Sequence, residues 1–227
     1  MHIVGAIVFV GLIFAIIFGP SWWASFTLAR FSTHRDDFPG TGGEMARHLL
    51  DKKGLKIINI EVTKEGDHYD PVDKVVRLQK ENFDGKSVTA VAVAAHEVGH
   101  ALQDAEGNSI LRARVVLAKI DTAFQSWGKY IFYGLLGFST FSRSPVFAKL
   151  AILVAGLGWF ASIFIQIFSL PTEWDASFRK ALPMLAEGDY LHPTDMVAAQ
   201  TVLKACAFTY LASAILSLAS SARWWRR

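Results

Sequence analysis

The stretch Ala94-Ala95-His96-Glu97-Val98-Gly99-His100-Ala101-Leu102-Gln103 contains the pattern His-Glu-x-x-His. On an α-helix, residues four positions apart project from the same face, so His96 and His100 can bind one metal ion through imidazole nitrogens. Glu97 is turned by about 100° from His96 and can reach a metal-bound water without being a ligand. Zinc lowers the pKa of such a water towards about 7, and a neighbouring carboxylate can accept its proton. These residue types at this spacing predict a zinc site for peptide hydrolysis.

The flanking sequence favours the helix that this pattern requires. No proline occurs between Ser87 and Ala105; Asp84 or Ser87 can cap the start of a helix, and Gly107 can end it. Apolar residues surround most of the helical wheel, which is typical of a helix buried in protein or lipid. The alternative interpretation is a pair of core histidines bonded to carbonyl groups, because buried polar side chains need partners whether or not a metal is present.

The composition restricts the class of protein. Of the 227 residues, 52% are hydrophobic, which is too apolar for an ordinary soluble domain. The formal net charge is +3 and the basic residues are scattered, so nucleic acid is not expected as a partner. The single cysteine, Cys206, excludes an intramolecular disulfide.

Four apolar runs suggest membrane helices, of which the second is short for the ~30 Å hydrocarbon core of a bilayer. They are Ile3 to Phe18, Trp127 to Phe141, Val146 to Leu170 and Ala205 to Ala222. A cleaved signal peptide is the alternative for the first run, although it lacks a basic beginning. Pro171 is expected to end the third helix. The predicted fold class is therefore a mainly α-helical integral membrane protein with about four membrane helices and a small α+β zinc-peptidase domain.

The expected organisation follows from these runs. It comprises an N-terminal anchor (1–30), the peptidase domain (31–122), two membrane helices (123–170), a third-ligand segment (171–204) and a C-terminal membrane helix (205–227). Within the peptidase domain, Thr41-Gly-Gly-Glu44 is a capping box that opens a helix. The β-prone runs Lys56 to Val62 and Lys74 to Leu78 are expected to form a hairpin. This hairpin either packs on the His-Glu-x-x-His helix or offers its edge to an extended substrate.

The positive charges predict the orientation in the membrane. With four crossings, the peptidase domain and residues 171–204 share one side, which carries more lysine and arginine near the membrane. The positive-inside rule then predicts a multi-pass protein of the cell (inner) membrane with a cytoplasmic site. The arginines at the C-terminus, which lie on the other side, oppose this orientation.

A catalytic zinc site usually has three protein ligands and one open position. The stretch Leu170-Pro-Thr-Glu173-Trp-Asp175-Ala-Ser177 offers two carboxylates directly after a predicted membrane helix. Residues two apart on a helix differ by about 200°, so both carboxylates cannot serve one site. Glu173 has the longer side chain and is the preferred third ligand, while His68 and His192 remain alternatives. Both carboxylates could instead only stabilise a helix N-terminus.

Three stretches, Asp67-His-Tyr-Asp-Pro71, Ala94 to Gln103 and Leu170 to Ser177, together resemble the YugP-type family of bacterial membrane zinc metallopeptidases. The resemblance covers essentially the whole chain in the same order. It implies His96, His100 and Glu173 as zinc ligands and Glu97 as the catalytic base.

More distantly, the chain resembles the HtpX-type membrane peptidases, in which a Glu-x-x-Ala-Asp helix provides the third ligand. Here Ser177 stands at the last position of that pattern and an aspartate stands at 175 instead. Asp175 is therefore a candidate for orienting one of the histidines, since metal-bound histidines usually donate their other nitrogen to a carboxylate or carbonyl.

The function predicted from these features is a membrane-anchored zinc endopeptidase with one Zn²⁺ per chain. Its expected partners are the lipid bilayer and a peptide or protein substrate, membrane proteins included. The group that stabilises the oxyanion stays open among His68, Tyr69, His192 and Tyr210. The alternative is a membrane scaffold or assembly factor with a non-catalytic zinc site, although structural zinc sites are usually closed and cysteine-rich. An intramembrane site is disfavoured because the apolar runs after His100 contain no acidic residue.

Overall fold

The computed structural model describes the backbone of residues 2–221, while the side chains of residues 1–10, 13, 14, 16, 17, 210, 211 and 213–227 lie outside the description. The helices are α1 (His2–Arg30), α2 (Gly42–Lys52), α3 (Lys80–Phe83), α4 (Val88–Ala105), α5 (Ser109–Ser142), α6 (Pro145–Trp174), α7 (Leu182–Glu187) and α8 (Pro193–Ser221). A π-helical segment, Asp175–Ala181, joins α6 to α7. The strands are β1 (Asn59–Thr63), β2 (His68–Asp70) and β3 (Val75–Gln79).

The central helix α4 carries the His-Glu-x-x-His pattern, as the sequence predicts. Ser87 caps its start, because the Ser87 hydroxyl accepts a hydrogen bond from the backbone N–H of Ala90 at 3.1 Å. Gly107 follows its end with φ +75°, a conformation that favours glycine. Fifteen of its 18 residues are buried. It packs against α2, the π-helical segment and α8, so it forms the middle of the core.

The sheet differs from the hairpin that the two β-prone runs suggest. The strand order is β1-β3-β2, with β1 parallel to β3 and β2 antiparallel to it. The tight turn lies between β2 and β3, where the Asp70 carboxylate accepts the backbone N–H of Val72 at 2.8 Å. Because β2 occupies one edge of β3 through this turn, β1 can pair only with the other edge. The predicted hairpin between β1 and β3 is therefore wrong.

Helices α5 and α6 form an antiparallel hairpin, which Arg143 closes in the left-handed conformation (φ 51°). Three contacts fix their register: Arg114 pairs with Glu173, Gln125 donates to the Ser162 hydroxyl at 2.7 Å, and the Phe138 and Phe147 rings lie 4.6 Å apart. The Ser162 hydroxyl in turn donates to Asp121 at 2.6 Å. These contacts show which residues of α5 and α6 lie side by side at the same level along the hairpin.

The prediction of about four membrane helices is wrong. Among the described residues, one continuous helical stretch, Pro145–Glu187, is long and apolar enough to cross a membrane. The run Trp127 to Phe141 is helical, but Lys129, two tyrosines and three glycines dilute its apolar character. The runs Ile3 to Phe18 and Ala205 to Ala222 fall within α1 and α8, where most of their side chains lie outside the described residues.

The helix α6 does not end at Pro171, contrary to the sequence-based expectation. It continues to Trp174 and then directly into the π-helical segment. Proline removes the hydrogen bond to the carbonyl of Ile167 but leaves the following residues helical. Wide π turns inside helices commonly occur at functional sites. The consequence is that Glu173 lies on the same continuous helix as the apolar stretch.

Candidate metal centre

Helix α4 brings its two histidines together inside the protein. His96 and His100 are 3% and 5% exposed, and their ring centroids lie 4.7 Å apart. This proximity follows from their four-residue spacing on one helical face.

Glu173 reaches the same point from the end of α6. Its Oε2 lies 3.2 Å from His96 Nε2 and 3.3 Å from His100 Nε2. The three potential ligand atoms all lie within 4.8 Å of one another. Zn–N and Zn–O bonds of about 2.0–2.1 Å place tetrahedral ligand atoms about 3.3 Å apart, so two of the three separations match such a site. The structure therefore brings together all three predicted ligands.

Ser177 sets the orientation and tautomer of His96. The Ser177 hydroxyl donates to the backbone carbonyl of Leu203 at 3.0 Å, and its oxygen lies 3.0 Å from His96 Nδ1. Since the single hydroxyl proton is used on a carbonyl, the contact with His96 requires that Nδ1 carries a proton and donates it. The Nε2 lone pair of neutral His96 then faces Glu173.

Gln103 does the same for His100. The Gln103 amide nitrogen donates to the Thr172 carbonyl and to the Asp175 carboxylate, both at 2.8 Å. Both partners can only accept, so the amide oxygen must be the end that lies 2.9 Å from His100 Nδ1. His100 is therefore also protonated at Nδ1. Asp175, predicted to orient a histidine directly, contacts His100 only through Gln103.

The donor set fits a divalent metal ion. Two imidazole lone pairs and a carboxylate oxygen converge on one small volume, and both Nδ1 protons are used elsewhere. These groups repel one another unless a cation, or a proton on one imidazole, lies between them. Imidazole and carboxylate ligands of this kind, held in place by hydrogen bonds on their far sides, suit zinc.

Arg114 on α5 belongs to the candidate site, although the sequence alone does not predict it. Its guanidinium forms a close ion pair with Glu173 Oε1, and its side chain is 18% exposed. This contact leaves the other carboxylate oxygen for the histidines. No local motif predicts this role for Arg114, because it lies 59 residues from Glu173 in the sequence. The two side chains come into contact only because α5 and α6 pack side by side. By contrast, Gln103 lies three residues after His100 on the same helical face and could have been found by spacing.

Glu97 lies beside the histidines and is also buried, with 6% of its surface exposed. Burial raises the pKa of its carboxyl group from 4.5 to about 7, because the ionised form loses water; nearby His96 opposes this effect. A carboxyl group with such a pKa exchanges protons near neutral pH, as a general base requires.

A cavity of about 940 Å³ connects these side chains to the surface. Its walls include His96, Glu97, His100 and Glu173 together with residues of α1, α5 and α8. A cavity of this size can hold several residues of a peptide.

The remaining candidates have different positions. His68 lines the cavity, and its Nδ1 donates to the carbonyl of Gly66 at 2.8 Å, so it can donate through Nε2 only when protonated. Tyr69 also lines the cavity, but its hydroxyl already donates to Asp104 at 2.7 Å. His192 is exposed and is not part of the cavity wall. The side chain of Tyr210 lies outside the described residues.

A close backbone approach holds α4 against the π-helical segment. A Cβ atom on Gly99 would lie 2.7 Å from the carbonyl oxygen of Ala176. Ala176 itself is fully buried, and its small side chain lets α4 come close. The distance between the histidines and Glu173 therefore depends on a residue without a side chain at position 99.

Comparison with known proteins assigns the class. The family described as "Putative neutral zinc metallopeptidase" matches residues 6–226, and the chain belongs to this family. Among curated proteins, it is similar to the "Putative membrane protease YugP" of Bacillus subtilis (strain 168), with 33% identity over 211 residues and 88% of each chain covered. The predicted resemblance is thereby confirmed. The comparison with solved structures found no match.

Proposed function

We propose that this chain is a membrane-associated zinc endopeptidase in which His96, His100 and Glu173 hold the metal and Glu97 is the catalytic base. The observation that carries the proposal is the convergence of three ligand atoms within 4.8 Å of one another on the wall of a cavity that Glu97 also lines. Membership of a zinc metallopeptidase family supports the same metal and the same reaction class.

Bound zinc would supply Lewis-acid chemistry, polarising the scissile carbonyl and making water acidic. The chain contributes the proton transfers: Glu97 accepts the proton of the attacking water and delivers it to the leaving amine. Ser177 and Gln103 keep both imidazoles in the tautomer that leaves Nε2 available. Arg114 holds the far oxygen of Glu173 in place.

The geometry supports a catalytic role over a scaffold. Structural zinc sites have four protein ligands and are usually cysteine-rich, whereas the cluster in the described residues has three and borders a cavity. Cys206 lines the cavity but is not part of the cluster.

We further propose that α6 anchors the protein in a membrane, with the metal centre at its cytoplasmic end. The apolar stretch supports the anchor, and the relative from Bacillus subtilis is named a membrane protease. The Glu173 end of the hairpin carries three basic residues on α5: Arg112, Arg114 and Lys119. The other end carries two, Arg143 and Lys149. This asymmetry favours a cytoplasmic site.

Thiol labelling in intact cells tests the orientation. Val72 lies in the turn after β2 and is 63% exposed, which makes it a suitable position for a cysteine. Val72→Cys in a Cys206→Ser background should resist a membrane-impermeant thiol reagent until the cells are opened. Rapid labelling of intact cells would place the site outside.

The decisive experiment for the proposed chemistry is Glu97→Gln in the purified protein, assayed for metal content and for cleavage of an unfolded protein such as casein. We expect hydrolysis to be lost and zinc to be retained, because Glu97 is not one of the clustered ligand atoms. Glu65→Gln, at an exposed position, is the matched control and should behave as the native protein. Loss of zinc from a folded Glu97→Gln protein, or undiminished cleavage, would contradict the assigned role.

A further inference from the structure

The cavity extends well beyond the metal centre along one face of α5. Its wall contains Leu111, Val115, Ala118, Thr122 and Ser126, which follow one another at steps of three or four residues. Such a spacing keeps side chains on one face of a helix. With Trp127 as its last member, the wall is about 24 Å long at 1.5 Å per residue. We call this wall the α5 groove.

The register of the hairpin gives the depth of the groove. Arg114 lies opposite Glu173, and Gln125 lies opposite Ser162. The part of the groove from Ala118 to Trp127 therefore runs beside the apolar stretch of α6. On α6 itself, Phe160 and Phe164 are 64% and 61% exposed, as expected for a surface that faces lipid. If α6 spans the bilayer, most of the groove lies at hydrocarbon depth.

The surface of the groove changes character along its length. Arg114, Asp67, Glu97 and Glu173 lie at or near the metal centre, and Lys119 is the last charged residue along the groove wall. The deep part consists of Ala123, Trp127 and the hydroxyls of Thr122 and Ser126. These hydroxyls already donate to carbonyls of their own helix at 2.9 and 2.8 Å. The two hydroxyls of the deep part therefore need no hydrogen-bond partner from a ligand, and this part of the groove can bind an apolar segment.

We propose that the α5 groove binds the apolar segment of a membrane-inserted polypeptide and presents its flanking residues to the metal centre. The inference rests on the proposed function and names the substrate class of that site. A backbone at hydrocarbon depth must keep its own hydrogen bonds and stay helical. Peptide hydrolysis needs an extended, accessible bond. The bond that is cut therefore lies just outside the apolar segment, at the membrane surface.

The test uses the native protein in lipid vesicles and three substrates that share one cleavable flanking sequence. In the first, the sequence follows a transmembrane segment; in the second, it is attached to a lipid anchor; the third is the free soluble peptide. The lipid anchor matches the confinement of the first substrate to the membrane but offers no peptide segment to the groove. We expect the transmembrane substrate to be cleaved about tenfold faster than the lipid-anchored one, which corresponds to about 1.4 kcal/mol of van der Waals packing between the segment and the groove.

Two variants localise the effect. Ala123→Trp fills the deep part of the groove and should remove the preference for the transmembrane substrate. Ile120→Trp is the matched control on the same helix, because Ile120 is 58% exposed and is not part of the cavity wall. Zinc content and the thermal midpoint of each variant show whether it is folded.

The outcomes separate the two levels of the proposal. Equal cleavage of the transmembrane and lipid-anchored substrates, or a preference that survives Ala123→Trp, would overturn the groove assignment while leaving the peptidase intact. Absence of cleavage for all three substrates by zinc-loaded protein would count against the proposed function itself. A preference lost in Ala123→Trp and kept in Ile120→Trp supports the groove.

Discussion

The hydroxyl of Ser177 lies 3.0 Å from Nδ1 of His96 and donates its own proton to the carbonyl of Leu203. A serine thus supplies the acceptor for a buried histidine at the position where the HtpX-type pattern has an aspartate. The interaction carries no charge, so it orients the ring without adding a negative charge to the metal centre. His100 differs in that its acceptor, the amide oxygen of Gln103, belongs to a side chain that also donates to the charged carboxylate of Asp175.

Ser177→Ala should lower zinc affinity by about 10–100-fold, the usual cost of losing a partner behind a metal-binding histidine. The variant leaves His96 Nδ1 buried without its acceptor. Chelator competition measures the effect. Ser169→Ala is the control, because Ser169 is equally buried but bonds only to the carbonyl of Ile165 in its own helix. Equal zinc affinity in both variants would show that Ser177 does not contribute to zinc binding.

Glu173→Ala should lose most bound zinc, because it removes one of three converging ligand atoms. Asp175→Ala should keep zinc with affinity reduced by about 10–100-fold, since Asp175 acts on His100 only through Gln103. Metal analysis of the two purified proteins distinguishes these roles. The reverse pattern would exchange the assignments of the two carboxylates.

Gly99→Ala should destabilise the protein by about 1–3 kcal/mol and weaken zinc binding. The added Cβ would lie 2.7 Å from the carbonyl oxygen of Ala176, so the helix and the π-helical segment must separate. Glu173 and Ser177, which flank Ala176, would move with it. Thermal unfolding and chelator competition measure the two effects.

Gly134→Ala is the matched control for the glycine experiment. Gly134 also lies within a helix, and a Cβ there would meet nothing within 4 Å. Alanine should therefore be neutral or slightly stabilising at this position. If Gly99→Ala were equally harmless, the close approach would have no role in placing Glu173.

The stability of the metal-free protein should depend on pH through Glu97. Burial raises the pKa of its carboxyl group from 4.5 to about 7, so the folded state binds this proton more tightly than the unfolded state. The free energy of unfolding therefore falls as the pH rises from 4.5, and this decrease is complete above about pH 7. The difference between the two pKa values corresponds to at most about 3 kcal/mol.

Urea unfolding with a chelator present tests this dependence. Glu97→Gln should be more stable than the native protein at pH 8, and the difference should shrink towards pH 4.5, the ordinary pKa of the group. Glu65→Gln, at an exposed position, should show no such trend. A constant difference between Glu97→Gln and the native protein at all pH values would show that Glu97 does not titrate in this range.

The local features of the chain were determined by its sequence. The four-residue spacing of His96 and His100, the Ser87 cap and the capping box at Thr41 and Glu44 all involve neighbours within one helical turn, where geometry depends on the backbone alone. The family resemblance rests on such local patterns as well. The sequence makes Glu173 a candidate ligand, and the fold places its carboxylate beside the two histidines.

Only the tertiary structure decided the features that join distant segments. The parallel pairing of β1 with β3 depends on which strand occupies each edge, and the sequence between them contains β2, a strand of only three residues. The passage of α6 through Pro171 depends on packing that outweighs one lost hydrogen bond. Arg114 meets Glu173 only because α5 and α6 pack in one register. Among the described residues, hydropathy alone overcounted the membrane helices, because Lys129, two tyrosines and three glycines dilute the run Trp127 to Phe141.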